Sequence, residues 1–129
     1  MSKIRELCTR VFRTLGPGYS ERVYHNAMEV LLRKNGIPYE TEVIIPIVFE
    51  KHTIGNLRGD LVVCGEVLVE LKATRSLTAQ NSMQVRNYMK LTGLQNALLV
   101  NFPQMETAQD CEFEEVSRSS VSSEGGGEQ

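Results

Sequence analysis

Tryptophan is absent from this 129-residue chain, and no apolar run approaches the roughly 18 residues needed to span a bilayer. No stretch reads as a signal peptide, so the expectation is an intracellular protein, cytoplasmic or nuclear, with no membrane partner. Cysteine is scarce: Cys8, Cys64 and Cys111 are widely spaced, odd in number and form no CxxC pair. That excludes a disulfide framework and gives no support to a zinc site, leaving reduced, partly buried thiols. A basic excess is also missing. The formal net charge of −2 argues against a protein that coats nucleic acid by bulk charge. A local patch stays open, because Lys3, Arg5, Arg10, Arg13, Arg22, Arg33 and Lys34 outnumber the acids of the first 35 residues. Ordinary solvated helix faces account for most of that asymmetry. No internal repeat is present. What remains, with 41% hydrophobic residues, is one domain with a modest core.

Ile4, Leu7, Cys8, Val11, Phe12 and Leu15 recur at helical spacing, and Gly16-Pro17-Gly18 ends that helix. A second helix is expected from about Ser20 to Asn35, burying Val23, Tyr24, Ala27, Met28, Leu31 and Leu32, with Gly36 as its cap. A strand over Glu42–Glu50 follows, placed at a sheet edge by Pro46. Two further strands, a third helix capped by Thr78 and ending near Gly93, a short buried strand over Ala97–Phe102 and a last strand over Cys111–Val116 complete the chain. The order α-α-β-β-β-α-β-β predicts an α/β (α+β) fold with a mixed sheet: a three-strand meander, then a helical crossover. The domain spans residues 1–116, and the Ser/Gly/Glu-rich residues 117–129 are expected to be a disordered tail.

Chemistry concentrates in two adjacent strand-like runs, Arg58-Gly59-Asp60-Leu61-Val62-Val63 and Val67-Leu68-Val69-Glu70-Leu71-Lys72, separated by Cys64-Gly65-Glu66. A three-residue loop sets Asp60 opposite Glu70 and Arg58 opposite Lys72, all on one face because side chains alternate. The other face then reads Leu57, Leu61, Val63, Val67, Val69, Leu71. A two-residue turn would instead mix charge and apolar groups on both faces, so burial favours the longer loop. Directly opposed carboxylates, with β-carbons roughly 4.5–5.5 Å apart, repel. A hard divalent cation between them is the usual relief. The competing account is a solvated hairpin face with crosswise pairs, Asp60 to Lys72 and Arg58 to Glu70.

The Asp60…Glu70-x-Lys72 pattern before a helix resembles the PD-(D/E)XK nuclease superfamily. Gly18-Tyr19-Ser20-Glu21-Arg22-Val23-Tyr24 matches the G-x-x-E-x-x-Y motif that names a small family within it. Leu15-Gly16-Pro17-Gly18, Asn35-Gly36-Ile37-Pro38 and Val69-Glu70-Leu71-Lys72-Ala73 fit the same family, and Gln84-Val85-Arg86-Asn87-Tyr88 looks like the Q-x-x-x-Y motif of the RecB-like branch. The resemblance runs from about Arg5 to Val116 and implies a restriction-endonuclease-like core.

It further implies a Mg²⁺- or Mn²⁺-dependent nuclease. Asp60, Glu70 and the backbone carbonyl of Leu71 would hold one or two ions, with Lys72 beside the attacking water. Gln84 would position a ligand or Lys72, Tyr88 and Arg58 would contact substrate, and Glu21 would add a carboxylate. Glu21 is equally a first-turn residue favoured by the helix dipole, Tyr88 equally a core aromatic, and Tyr24 better explained as core. The implied partner is nucleic acid, DNA in preference to RNA; oligomeric state is not encoded legibly. Asn81-Ser82 ahead of Gln84, Gly59 beside Asp60, and the acidic Glu112-Phe113-Glu114-Glu115 depart from the family pattern. The alternative is a catalytically silent nucleic-acid-binding or scaffold protein on the same fold. The intact Asp60, Glu70 and Lys72 favour chemistry; the missing basic excess favours the scaffold.

Overall fold

The computed structural model describes residues 1–118. The first two helices are α1 (Ser2–Leu15) and α2 (Glu21–Lys34). Three strands follow, β1 (Tyr39–Phe49), β2 (His52–Val63) and β3 (Val67–Lys72), then α3 (Ala79–Thr92), β4 (Asn96–Asn101) and β5 (Glu112–Ser117). The element order is the expected one. One five-stranded sheet runs β1-β2-β3-β4-β5, antiparallel throughout except for the β3–β4 pair. Pro46 does lie on an edge strand, where its missing N–H breaks no ladder on the open side. β5 continues through Ser117, so the domain passes the expected boundary at 116; Arg118 also bonds back, its N–H to the Gln95 carbonyl at 2.6 Å. The remainder of the proposed tail lies outside the described residues. Among the described residues no helix is long and apolar enough to cross a membrane.

Helices cover both faces. α1 and α2 pack Leu7, Val11, Phe12, Met28 and Leu32 against Leu61, Val69, Leu71 and Phe102. On the other face α3 packs Val85, Tyr88 and Met89 against Val62, Leu68 and Leu99. Alternation along β3 thus sends Leu68 to one cluster and Val69 to the other, the pattern of a two-faced sheet. Tyr24 is a core residue: fully buried, it stacks on Phe102 with ring centroids 4.4 Å apart and donates its hydroxyl to the Gly16 carbonyl at 2.7 Å. Three expectations fail on burial. Val23 is exposed and His25 is buried in its stead. Leu57 joins the α3 cluster rather than the face of Leu61. Cys64, at φ 56 in the β2–β3 loop, is exposed, whereas Cys8 is buried and Cys111 partly so; all three are free.

Glycine at position 59 has a steric cause. A β-carbon there would sit 2.8 Å from both Cζ and the hydroxyl of Tyr88 and 2.9 Å from Cδ1 of Leu68. Tyr88 therefore lies directly across the β2 backbone, next to Asp60, and the residue that departs from the family pattern is the one that admits it. Gly59→Ala is expected to destabilise by about 1–3 kcal/mol, the usual cost of overpacking. The loss should shrink in a Tyr88→Leu background, since the clash is with the ring. A denaturant double-mutant cycle measures this, and additive effects would contradict the contact.

Candidate active site

The β2–β3 hairpin has the three-residue loop. Val63 pairs with Val67, Val62 with Leu68 and Leu61 with Val69, a register that carries Asp60 opposite Glu70. At that point the ladder stops and side chains take it over. The Asp60 N–H donates to Glu70 Oε1 at 2.8 Å, and the Leu71 N–H donates to Asp60 Oδ2 at 2.8 Å. Each carboxylate thus caps the backbone of the opposite strand, and each keeps a second oxygen outside these bonds. Neither crosswise ion pair of the solvated-hairpin account forms; Arg58 pairs with Glu42 at 3.7 Å. Beyond Asp60 the paired register does not extend to Arg58 and Lys72.

A cavity of about 340 Å³ opens where the strands part, lined by Glu21, Arg58, Asp60, Glu70, Lys72, Gln84 and Tyr88. These are the side chains that the sequence singled out, brought together from α2, β2, β3 and α3. Tyr88 is a core aromatic, 3% exposed, whose side chain also lines the cavity. A second cavity of about 210 Å³ adjoins on the α2 side, sharing Glu21, Arg58 and Asp60 and adding Arg22, His25 and Leu71. Asp60 therefore stands between the two.

Burial pushes the Glu70 carboxyl up to about 8, and the Asp60 carboxylate is the next cause. The Asp60 N–H, Lys72 and Arg58 act against the rise without cancelling it. Desolvation of the buried acid is the larger part of the rise, and repulsion from the facing carboxylate adds to it. The donor set, two hard carboxylate oxygens beside a water-sized cavity, suits a hard divalent cation. Among the described residues no three acidic, histidine or cysteine side chains form a metal cage, so Glu21 does not complete one with Asp60 and Glu70.

Sequence reading overlooked the network behind Asp60. His25, 4% exposed, contacts Glu29 Oε2 at 2.8 Å and Thr41 Oγ1 at 2.9 Å, and the Thr41 hydroxyl donates to the Asp60 carbonyl at 3.4 Å. Arg22 bonds Glu42, whose backbone adopts φ 54 inside β1. The i, i+4 spacing of His25 and Glu29 was a visible signal; that β1 would carry Thr41 beneath them was not. The departures in α3 and β5 also have uses. Asn81 closes a capping box with Thr78, and the Ser82 hydroxyl donates to Glu114 at 2.8 Å. Glu112 accepts from the Leu77 N–H at 3.0 Å and from Asn101 Nδ2 at 3.1 Å. Glu115 binds Arg5 at 2.6 Å. The acids of β5 anchor α1 and α3 and do not face the cavity.

A carboxyl at about 8 in the folded chain, against an ordinary 4.5, binds more protons folded than unfolded between those values. In metal-free solution this group therefore favours the folded state most at low pH and loses that contribution as pH rises through the window. Glu70→Gln should flatten the decline between about pH 5 and about pH 8. Thermal melts in EDTA across that range test it; parallel curves for parent and variant would remove Glu70 as the cause.

The profile of the PD-(D/E)XK nuclease superfamily matches residues 1–114. No curated protein matches the sequence. Among solved structures, that of SSO0001 aligns at 20% identity with a TM-score of 0.57, over 78% of this chain. The chain spans about half of SSO0001, 52% of its length. LHK-Exo in complex with dAMP aligns at 14% identity and a TM-score of 0.53, over 94% of this chain and 84% of that one. Identities this low speak to the fold alone, which is the mixed sheet flanked by helices described above and fits a restriction-endonuclease-like core. With nearly its whole described length matched, the chain belongs to the PD-(D/E)XK nuclease superfamily.

Proposed function

We propose that this chain is a nuclease that hydrolyses DNA phosphodiester bonds with the help of Mg²⁺ or Mn²⁺, from the GxxExxY group on the RecB-like branch of its superfamily. The observation that carries the reading is the Asp60–Glu70 pair: two opposed carboxylates, one raised to about 8, at the wall of a cavity that also holds Lys72 and Gln84. A scaffold could cap the same amides with neutral Asn and Gln and avoid that repulsion. Superfamily membership supplies the nucleic-acid substrate class and the general use of divalent ions; the LHK-Exo structure holds a nucleotide, dAMP.

Asp60, Glu70 and the Leu71 carbonyl are the groups that would hold a divalent ion, and the chemistry it would supply there is charge neutralisation and a more acidic water. Lys72 lies on the same side of the strand as Glu70, where its ammonium orients that water and offsets charge building on the phosphoryl oxygens. Water adds at phosphorus, the bond to one ester oxygen breaks, and that oxygen leaves with a proton, giving a phosphate end and a hydroxyl end. Gln84 donates or accepts at Lys72 or substrate from the facing helix. Arg58, which already pairs with Glu42 at 3.7 Å, contacts the neighbouring phosphate, and Glu21 lines both cavities. Tyr88 fixes α3 against Gly59 and closes the cavity floor.

Divalent-dependent cleavage of a DNA oligonucleotide should fall by orders of magnitude in Asp60→Ala, Glu70→Ala and Lys72→Ala, because each removes a group from the reacting centre. Circular dichroism should show the fold retained. Activity undiminished in Glu70→Ala would place the chemistry elsewhere, and absence of cleavage with DNA binding intact would favour the silent scaffold.

A further inference from the structure

Asp60 stands outside the ladder on both of its flanks. Toward β3 the pairing stops at Leu61. Toward β1 the Thr41–Leu61 and Val43–Gly59 pairs form, but Glu42 and Asp60 between them do not pair, and Glu42 turns to φ 54. A left-handed glutamate inside a strand is costly backbone, and it falls beside the carboxylate on which the site depends. Side chains hold Asp60 instead. Glu70 Oε1 accepts its N–H, and from β1 the Thr41 hydroxyl reaches its carbonyl at 3.4 Å.

The direction of that bond is set by the groups behind it. Glu29, as a carboxylate, only accepts, and its Oε2 lies 2.8 Å from His25 Nε2, so that nitrogen carries a proton. The same N–H faces Thr41 Oγ1 at 2.9 Å, and there the hydroxyl oxygen accepts. Its own hydrogen is left for the Asp60 carbonyl, because Glu29 Oε2, at 3.5 Å from Thr41, is already served by His25. Glu29 is itself anchored: its Oε1 accepts from the Tyr39 hydroxyl at 2.9 Å and from Arg33 at 3.4 Å. His25 is 4% exposed and lines the smaller cavity, yet among the described residues its hydrogen bonds go to Glu29 and Thr41, not to Asp60 or Glu70.

Resting on the nuclease reading above, we propose that His25 is a positioning residue for Asp60. Anchored by Glu29, it turns the Thr41 hydroxyl onto the Asp60 carbonyl and so fixes the strand segment whose carboxylate accepts the Leu71 N–H. α2 thereby sets where Asp60 sits in the cleft, although His25 touches no reacting group. Hydrogen-bond partners of this kind behind metal-ligating groups change metal affinity or activity about 10- to 100-fold when removed. The reason is geometric, since small displacements of a reacting group are costly in rate.

Residue-resolved amide exchange on the full, metal-free chain tests this, followed by cleavage of a DNA oligonucleotide with Mn²⁺. Thr41→Val removes the hydroxyl and keeps the shape, at an exposed position where the fold tolerates it. His25→Leu removes the ring donor. In both, the Leu71 amide, which bonds Asp60 Oδ2, should exchange about ten-fold faster, while the amides of the paired residues Leu61, Val62 and Leu68 keep the parent's rates. The same variants should lose about ten-fold or more in kcat with KM little changed. Thr41→Ser and His25→Gln, which keep a donor in each place, should stay near the parent. The Thr41→Val/His25→Leu double variant should be no worse than either alone, since both cut one chain of bonds. Unchanged exchange at Leu71 overturns the proposal. So does faster exchange of all core amides together, which makes His25 a general stabiliser of the fold, and so does a loss in His25→Leu that Thr41→Val does not share. The nuclease reading fails separately, if Leu71 responds as expected but the parent cleaves nothing with Mg²⁺ or Mn²⁺.

Discussion

Two backbone amides and two carboxylates, exchanged between neighbouring strands, hold the centre of this molecule. Asp60 accepts from Leu71 and Glu70 accepts from Asp60, so side-chain oxygens stand in for the carbonyls of a regular ladder. The exchange satisfies buried N–H groups that would otherwise be orphaned. It also ends the β2–β3 pairing, and the gap it leaves is the cavity. The same gap leaves the β1–β2 ribbon without a third strand. Burial and mutual repulsion then keep Glu70 partly protonated near neutral pH. One local substitution of partners sets the shape, the charge state and the reach of the site.

Around that centre the acids of β5 and the polar start of α3 do mechanical work. Glu112 joins Asn101 to the Leu77 amide, Glu114 holds Ser82, and Asn101 also fixes Thr74, its Oδ1 accepting the Thr74 N–H at 2.9 Å. Together they lock the segment between Lys72 and α3. That places Gln84 and Tyr88 across from the carboxylates, on a helix rather than a loop. Glycine 59 completes the arrangement by letting the Tyr88 ring reach the strand.

The helices, the Pro46 edge strand, the hairpin loop and the co-location of Asp60, Glu70, Lys72, Gln84 and Tyr88 were legible in the sequence. The elements and the loop follow from short-range rules, periodicity of 3.6 or 2, caps at Thr78 and Gly93, and a burial pattern that admits one register, whereas the convergence of Gln84 and Tyr88 on the hairpin was an implication of the family resemblance. The errors are equally specific. Leu57 was assigned to the wrong face because the ribbon changes which parity points inward near Glu42, whose φ of 54 no residue pattern announces. His25 was passed over for Val23 because a histidine on a helix is buried only if its partners exist, and Thr41 comes from a different element. Ser117 was given to the tail because its composition is polar, although the β4 edge recruits it into β5.

What the sequence by itself determined is therefore the set of elements, their order and the facing of Asp60 and Glu70 in the hairpin, since local propensity and alternation act within a few residues along the chain. Only the tertiary structure decided how the carboxylates are bonded, why Gly59 is required and what the β5 acids hold. Those depend on groups 10 to 110 residues apart meeting at hydrogen-bond or van der Waals distance, and no spacing rule along one strand or helix records such a meeting.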